Sequence, residues 1–266
     1  MITSLQNEQV KQVVALHKNK GRNTGNEYLI EGKRFIKEAF LRQARIKKIY
    51  YTNTKDLGEL IEEATARQIP LQPVSEEVMK KMATTVECQG ILAVMEQVHP
   101  KWEDLKIGQE TILLIIDNIQ DPGNLGTIFR TALAANVKQI ILTKGTVDRY
   151  NPKVLRSSMG SIFCQTILTN KTAPEIVNFC RRNNLCLAVS SMEGNSIFSE
   201  QTKVKFPLAL VIGNEAFGVS DFFKGQADLK YYIPMFNRVE SLNAAMAAGI
   251  FLYELRRRGG FLKTFF

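Results

Sequence analysis

Three short polar stretches hold most of the residues able to do chemistry. The first is Asp117-Asn118-Ile119-Gln120-Asp121-Pro122-Gly123-Asn124, opening a helical run that carries Arg130. Asn124 stands at the helix entrance, where outward backbone N–H groups favour anions. Arg130 has the planar fork that grips a phosphate. The second is Gly213-Asn214-Glu215-Ala216-Phe217-Gly218-Val219-Ser220, in which two glycines bracket an acid directly after an apolar strand. The third, Pro234-Met235-Phe236-Asn237-Arg238-Val239-Glu240-Ser241-Leu242-Asn243, follows the apolar segment Leu229 to Ile233. Proline ends that strand, having no N–H and a fixed φ. Ser241 is an N-cap type for a helix running to about Arg258. Behind it, Ala244, Ala245, Ala247, Ala248 and Gly249 allow close backbone approach, either to a flat neighbour or to a second copy of the same helix. Taken singly, each stretch also reads as an ordinary cap or turn.

Other chemistries lack their residues. Two histidines, His17 and His99, are too few for a histidine metal centre or a Ser-His-Asp triad. Cys88, Cys164, Cys180 and Cys186 form no CxxC pair, so they read as reduced, structural thiols of a cytosolic protein, with no metal site. No Gly-Lys-Ser/Thr or GxGxxG run occurs, which argues against a nucleoside-triphosphate or dinucleotide site. Met1 to Val10 is polar and mixed, unlike a signal peptide, and no apolar run approaches the ~20 residues of a membrane span.

The formal net charge is +9, unevenly spread. Residues 1–50 hold eleven Lys and Arg against four acids, whereas residues 51–100 hold four against eight. Lys18, Lys20, Arg22, Lys33 and Arg34 lie in the basic part and are candidate contacts to RNA or DNA, although any one cluster also fits a solvated lysine face.

Two patterns of elements must position these residues. Over residues 1–97 short units alternate: a helix over Gln6–Lys18, a mobile basic loop Asn19–Asn26, strands near 28–30, 46–51, 70–74 and 90–95, and helices over Lys33–Gln43, Leu57–Arg67 and 76–82 capped by Ser75. This is a small α/β layer structure. Residues 98–109 read as a linker. Over 110–266 the strands become continuous apolar runs, as in a parallel sheet buried on both faces: 111–116, 140–142, 166–168, 185–189, 208–212 and 229–233. Helices fall between them at Leu125–Ala135, 152–158 and Ala173–Asn183. Strands alternating with helices imply a doubly wound, mostly parallel sheet, whose ligands bind beyond the carboxyl ends of its strands. That rule selects the three polar stretches.

In order and content, the three stretches resemble the motifs of the SpoU (TrmH) family of RNA 2′-O-ribose methyltransferases, in the SPOUT superfamily. The first motif resembles Asp121 to Ala132. The second resembles Leu210 to Gly218, and the third Ile233-Pro234-Met235 through Ser241-Leu242-Asn243 to Glu254. The match covers about residues 110–258. Residues 1–97 are similar to the family's N-terminal extension, at Glu31-Gly32 and Gln89 to Val94, which has the RNA-binding fold of certain ribosomal proteins. The resemblance implies a C-terminal trefoil knot, S-adenosyl-L-methionine as cofactor, and a homodimer packed around the knot and last helix. Carried onto this chain, cofactor contacts fall at Gly213, Asn214, Ile233, Met235, Leu242 and Asn243. The catalytic set falls at Asn124, Arg130, Glu215, Ser241 and Asn243, with Arg130 also contacting RNA. The implied reaction is methyl transfer to a ribose 2′-hydroxyl, in large-subunit rRNA more than in tRNA. A catalytically silent RNA-binding protein on the same scaffold is the alternative, and the intact catalytic set argues against it. Two departures stand out: Asn237 and Ala216 occupy positions where the family commonly has glycine. Asn tolerates positive φ, whereas Ala216 would cost a left-handed turn.

Overall fold

The computed structural model describes residues 1–52, 55–85, 87–237 and 240–260, in two compact units. Arg238 and Val239 of the third polar stretch lie outside the described residues. The first unit comprises Met1–Val98 and Tyr150–Phe163, and the second His99–Arg149 and Cys164–Phe266.

The first unit runs α1 (Glu8–Ala15), α2 (Asn19–Gly25), β1 (Glu27–Glu31), α3 (Lys33–Leu41), β2 (Ile46–Tyr51), α4 (Gly58–Ala66), β3 (Leu71–Pro73), α5 (Glu76–Met82) and β4 (Ile91–Glu96). Its four-stranded sheet has the order β1-β4-β2-β3, with only the β2–β3 pair parallel. Leu29, Tyr50, Leu92 and Val94 pack with Val10 and Val13 of α1 and Val78, Met79 and Met82 of α5. Their strand neighbours Ile30, Ile49, Ile91 and Ala93 are buried too and point to the opposite face. Ser75 caps α5 as expected, its hydroxyl accepting from Val78 N at 3.3 Å.

One expectation fails here. Asn19–Asn26 is a helix followed by a left-handed Asn26, not a loop. Arg22 is 3% exposed and donates to the Leu16 and His17 carbonyls, both at 2.9 Å. Those are orphan carbonyls at the end of α1. The guanidinium therefore caps a helix, and Arg22 is not a surface cation for RNA. Lys18, Lys20 and Arg34 are exposed with no carboxylate partner among the described residues, and Lys33 lies 3.6 Å from Asp56.

The second unit contains β5 (Ile112–Ile116), α6 (Pro122–Ala134) and β6 (Gln139–Thr143). The chain then contributes α7 (Pro152–Ser158) to the first unit. It returns for β7 (Thr166–Lys171), α8 (Ala173–Arg182), β8 (Cys186–Ser196), β9 (Leu208–Ile212), α9 (Asp221–Gln226), β10 (Leu229–Tyr232) and α10 (Ala244–Arg258). The sheet order is β10-β8-β9-β5-β6-β7, and every pair is parallel. Leu113, Ile115, Leu187, Val189, Ala209 and Val211 face α8 and α9 through Ile176, Cys180 and Phe223. Helices α6 and α10 pack on each other. A Cβ on Gly249 would lie 3.3 Å from Thr131 Cγ2, so the small-residue stripe of α10 fits against α6 of its own chain. Residues read as linker are part of this core as well: Trp102 stacks on Phe179, ring centroids 4.8 Å apart, and Leu105 is buried.

Candidate active site

The order of strands explains where the polar stretches meet. After β5 the chain winds outward through β6 and β7, then returns to build β8, β9 and β10 on the other side. The loops after β5 and β9 therefore diverge at a topological switch point, the place where open α/β sheets bind ligands.

In the loop after β5, helix α6 starts earlier than the sequence reading placed it. Asp121 is the N-cap, accepting from Asn124 N at 2.8 Å, with Pro122 in the first turn. Asn124 lies inside that turn, which frees its side chain to reach outward. Likewise Asn243, not Ser241, caps α10: its Oδ1 accepts from Ala245 N at 2.9 Å and Met246 N at 3.3 Å. Those two donors fix the orientation of the Asn243 amide. Its Nδ2 must then donate outward, and does so to Asn124 Oδ1 at 2.9 Å. Asn124 Nδ2 in turn donates to Glu215 Oε1 at 2.8 Å. One polar relay thus joins all three loops, from the start of α10 to a carboxylate.

Glu215 is carried by a rigid turn. Asn214 and Gly218 exchange both backbone hydrogen bonds, at 3.0 and 2.9 Å, and Asn214 Oδ1 accepts from Ala216 N and Phe217 N. Gly218 takes the positive φ, +70°, so Ala216 is under no left-handed strain. Asn237 does adopt the left-handed conformation, with φ +56°, as its residue type permits. Gly213 has no room for a side chain: a Cβ would lie 2.1 Å from Gly218 C and Val219 N. Sequence reasoning missed Asp117. It is 6% exposed, accepts from Ser220 N at 2.8 Å and from Thr143 Oγ1 at 3.2 Å, and so ties the loops after β5 and β9 to the end of β6. An aspartate at the carboxyl end of a buried strand was the available signal.

A cavity of about 490 Å³ opens beside the relay. Gly213, Asn214, Ile233, Met235 and Leu242 line it, together with Glu215 and Ser241. Asn243 is not in its wall but one hydrogen bond from Asn124. The wall also includes Ser190 to Glu193 from the far part of β8, a segment not singled out from sequence. Its carboxylates Glu193, Glu215 and Glu240 outnumber the one lysine, Lys224. At its base Tyr231 is fully buried and donates to Lys203 O at 2.7 Å; burial raises its phenol well above the ordinary range and keeps it protonated. Arg130 stands apart. It is exposed on α6, outside the cavity wall, and makes no hydrogen bond or ion pair among the described residues. Glu215 engages the neighbouring Asn124 amide and not Arg130.

Residues 111–253 match the SpoU rRNA Methylase family. The chain belongs to that family. Residues 7–93 match a second model, the MRM3-like substrate binding domain. Over 255 residues the chain is 32% identical to the 23S rRNA (guanosine(2553)-2′-O)-methyltransferase RlmP of Bacillus subtilis, spanning 96% of this chain and 98% of that protein. Identity to the mitochondrial rRNA methyltransferase 3 of Homo sapiens is 29%, over 89% of this chain and 69% of that one. Among solved structures, the AdoMet-bound rRNA methyltransferase from Sinorhizobium meliloti superposes with a TM-score of 0.88 at 29% identity, covering 99% of this chain and 98% of that one. The SpoU methyltransferase AviRb from Streptomyces viridochromogenes, in complex with AdoMet, gives 0.85 at 25% identity, covering 96% and 98%. In this SpoU-family chain, the relay Glu215–Asn124–Asn243 links the three stretches that carried the resemblance.

Proposed function

We propose that this protein is an S-adenosylmethionine-dependent methyltransferase acting on a ribose 2′-hydroxyl of large-subunit rRNA. The observation that carries this reading is the relay joining Asn243, Asn124 and Glu215 at the rim of a cavity walled by Gly213, Ile233 and Leu242. Its relatives in Bacillus subtilis and in human mitochondria are named for rRNA, which favours rRNA over tRNA.

The residues present fit the cofactor. A cavity of about 490 Å³ is in the range for a ligand of that size. Gly213 leaves backbone bare where a Cβ would collide, and Glu215 and Glu240 in the wall favour a cationic ligand, Glu193 being paired with Lys230 at 3.2 Å. When bound, S-adenosylmethionine supplies an electrophilic methyl group whose sulfur leaves neutral and needs no acid. Gly213, Asn214, Ile233, Met235 and Leu242 would hold it. The protein's remaining tasks are in-line positioning of the hydroxyl and acceptance of a proton from a weak acid. Arg130 is a poor base, since guanidinium stays protonated. Its free, exposed fork suits the phosphate beside the target ribose, polarising the hydroxyl so that the proton departs late. Asn124, held between Asn243 and Glu215, and Ser241 in the cavity wall would keep the ribose in register. A homodimer built on α10 fits the exposed Leu242, Met246 and Tyr253 on and before that helix. The trefoil knot and a cytoplasmic location belong to the same reading; among the described residues no helix is long and apolar enough to cross a membrane.

The deciding experiment is methyl transfer from labelled S-adenosylmethionine to rRNA and to tRNA separately, followed by nucleoside identification. Label in a 2′-O-methylnucleoside from rRNA alone is expected. Label from tRNA alone would move the substrate class, and no label with no cofactor binding would favour a silent RNA-binding protein. Arg130→Ala should lower kcat by at least about 100-fold, a loss of roughly 3 kcal/mol, while calorimetric cofactor affinity stays within twofold.

A further inference from the structure

Residues 150–163 are encoded between β6 and β7 of the methyltransferase half, yet they belong to the first unit. Their attachment is specific. Tyr150 stacks on Tyr28 of β1, centroids 4.1 Å apart, and Phe163 meets Phe35 of α3 at 5.5 Å. Gly160, with φ +84°, lies so close to Glu38 of α3 that a Cβ would sit 2.3 Å from its Cγ. From the α7 portion of this segment, Arg156 donates to Thr84 Oγ1 at 3.2 Å.

Thr84 is itself held in place. Glu31, the last residue of β1, accepts from Thr84 N at 2.9 Å, from Thr84 Oγ1 at 3.0 Å and from Thr85 Oγ1. The next residues in sequence after Glu31 and Gly32 are Lys33 and Arg34, and Lys33 N donates to Gln89 Oε1 at 3.0 Å from the same loop. Glu31 therefore orders the 84–85 turn with its acceptor capacity spent on neutral donors. Arg156 reaches that turn through Thr84, whereas the Lys33 ammonium lies 3.6 Å from Asp56. Arg156 is exposed and, like Arg34, pairs with no carboxylate among the described residues. Several other cations of this unit are paired: Lys33 with Asp56, Lys37 with Glu59, Arg42 with Glu38, Arg45 with Glu96 and Lys47 with Glu27. An exposed guanidinium with no carboxylate partner, beside an ordered, hydroxyl-bearing turn, has the chemistry of a phosphate-backbone contact.

We propose that the RNA surface of the first unit is composite, with Arg156 of α7 gripping RNA phosphate beside the 84–85 turn and Arg34 contributing from α3. This rests on the reading of the protein as an RNA methyltransferase, but it goes beyond the substrate-binding match, which ends at residue 93. The segment from the methyltransferase half thereby takes part in holding the RNA.

The test is equilibrium binding of labelled, unmodified large-subunit rRNA to the full chain over a series of salt concentrations. Wild type, Arg156→Ala, Arg156→Lys and Arg34→Ala are compared. Arg156→Ala should weaken binding severalfold and flatten the slope of log K against log salt by about 0.7–0.9, the loss of one phosphate contact. Arg156→Lys should restore most of the slope, and cofactor affinity should not change. Wild-type affinity and slope in Arg156→Ala, with Arg34→Ala still defective, would place α7 outside the surface. Weaker binding with an unchanged slope would make Arg156 structural and overturn the proposal. Absence of salt-dependent RNA binding by the wild-type chain would remove the underlying reading itself.

Discussion

A methyl group on Gly213 would have to displace the backbone of Gly218 and Val219, which a Cβ would approach to 2.1 Å. The turn that presents Glu215 is closed by two backbone bonds and an Asn214 side chain, so it cannot give way locally. Gly213→Ala should cost about 1–3 kcal/mol, as overpacking does, and should weaken calorimetric cofactor affinity more than tenfold. A variant with wild-type Tm and affinity would show that the close approach is not part of the site. The same scale shows why Arg22 and Arg130 differ. Arg22 finds carbonyls at the end of α1 within reach and is consumed by them, while Arg130, inside α6, has no partner among the described residues and stays available.

At the scale of elements, α10 and its cap connect stability to the site. Asn243 does two jobs through two atoms: Oδ1 caps the helix and Nδ2 holds Asn124. Asn243→Asp keeps a capping oxygen but loses the donor, and sets a second carboxylate facing Asn124 Oδ1. Melting should stay within about 1 kcal/mol of wild type while methyl transfer falls at least tenfold. Asn243→Ala should lose activity and about 1 kcal/mol of stability together. Equal activity in Asn243→Asp would show that the relay does not matter. On the opposite end of the sheet, Asp228 joins α8 to the start of β10. Burial pushes its carboxyl pKa up, but the Arg181 hydrogen bond at 2.7 Å, the Leu187 N–H and the charges of Arg181 and Lys205 outweigh it, leaving the pKa below the ordinary value. A depressed folded pKa gives stability that is present above roughly pH 4, the unfolded value, and is lost as pH falls through the folded one. Tm should therefore drop below about pH 4, and Asp228→Asn should show a shallower drop from a lower starting point. An identical acid limb in that variant would assign the loss to other carboxylates.

For the molecule as a whole, the two units have separate cores, and the single tryptophan reports on one of them. Trp102 stacks on Phe179 under Lys171, whose Nζ lies 5.0 Å from the ring centre, all within the second unit. S-adenosylmethionine at about 100 times its Kd should stabilise the unit that binds it by roughly 2.7 kcal/mol. Tryptophan fluorescence should then register a shift of its unfolding transition to higher temperature. Far-UV circular dichroism, which sees both units, should retain an unshifted component from the first. A shift common to both signals would mean that the units unfold as one.

The alternation of apolar runs with helical segments and the carboxyl-end rule sufficed to expect a parallel sheet and to select the three polar loops, while the family resemblance singled out Gly213, Ile233 and Leu242 within them. The sheet and its loops are consequences of periodicity and strand direction, which short windows of sequence carry. Other features depend on atoms far apart in the chain. Asn124, Glu215 and Asn243 can be joined only once β5, β9 and β10 lie in one sheet. The true caps, Asp121 and Asn243, won over Asn124 and Ser241 because turn geometry decides which oxygen reaches which N–H. Arg22 was counted among surface cations until the end of α1 claimed it. The membership of residues 150–163 in the first unit was set by Tyr28, Phe35 and Glu38, residues more than a hundred positions away, and no local pattern records a contact of that range.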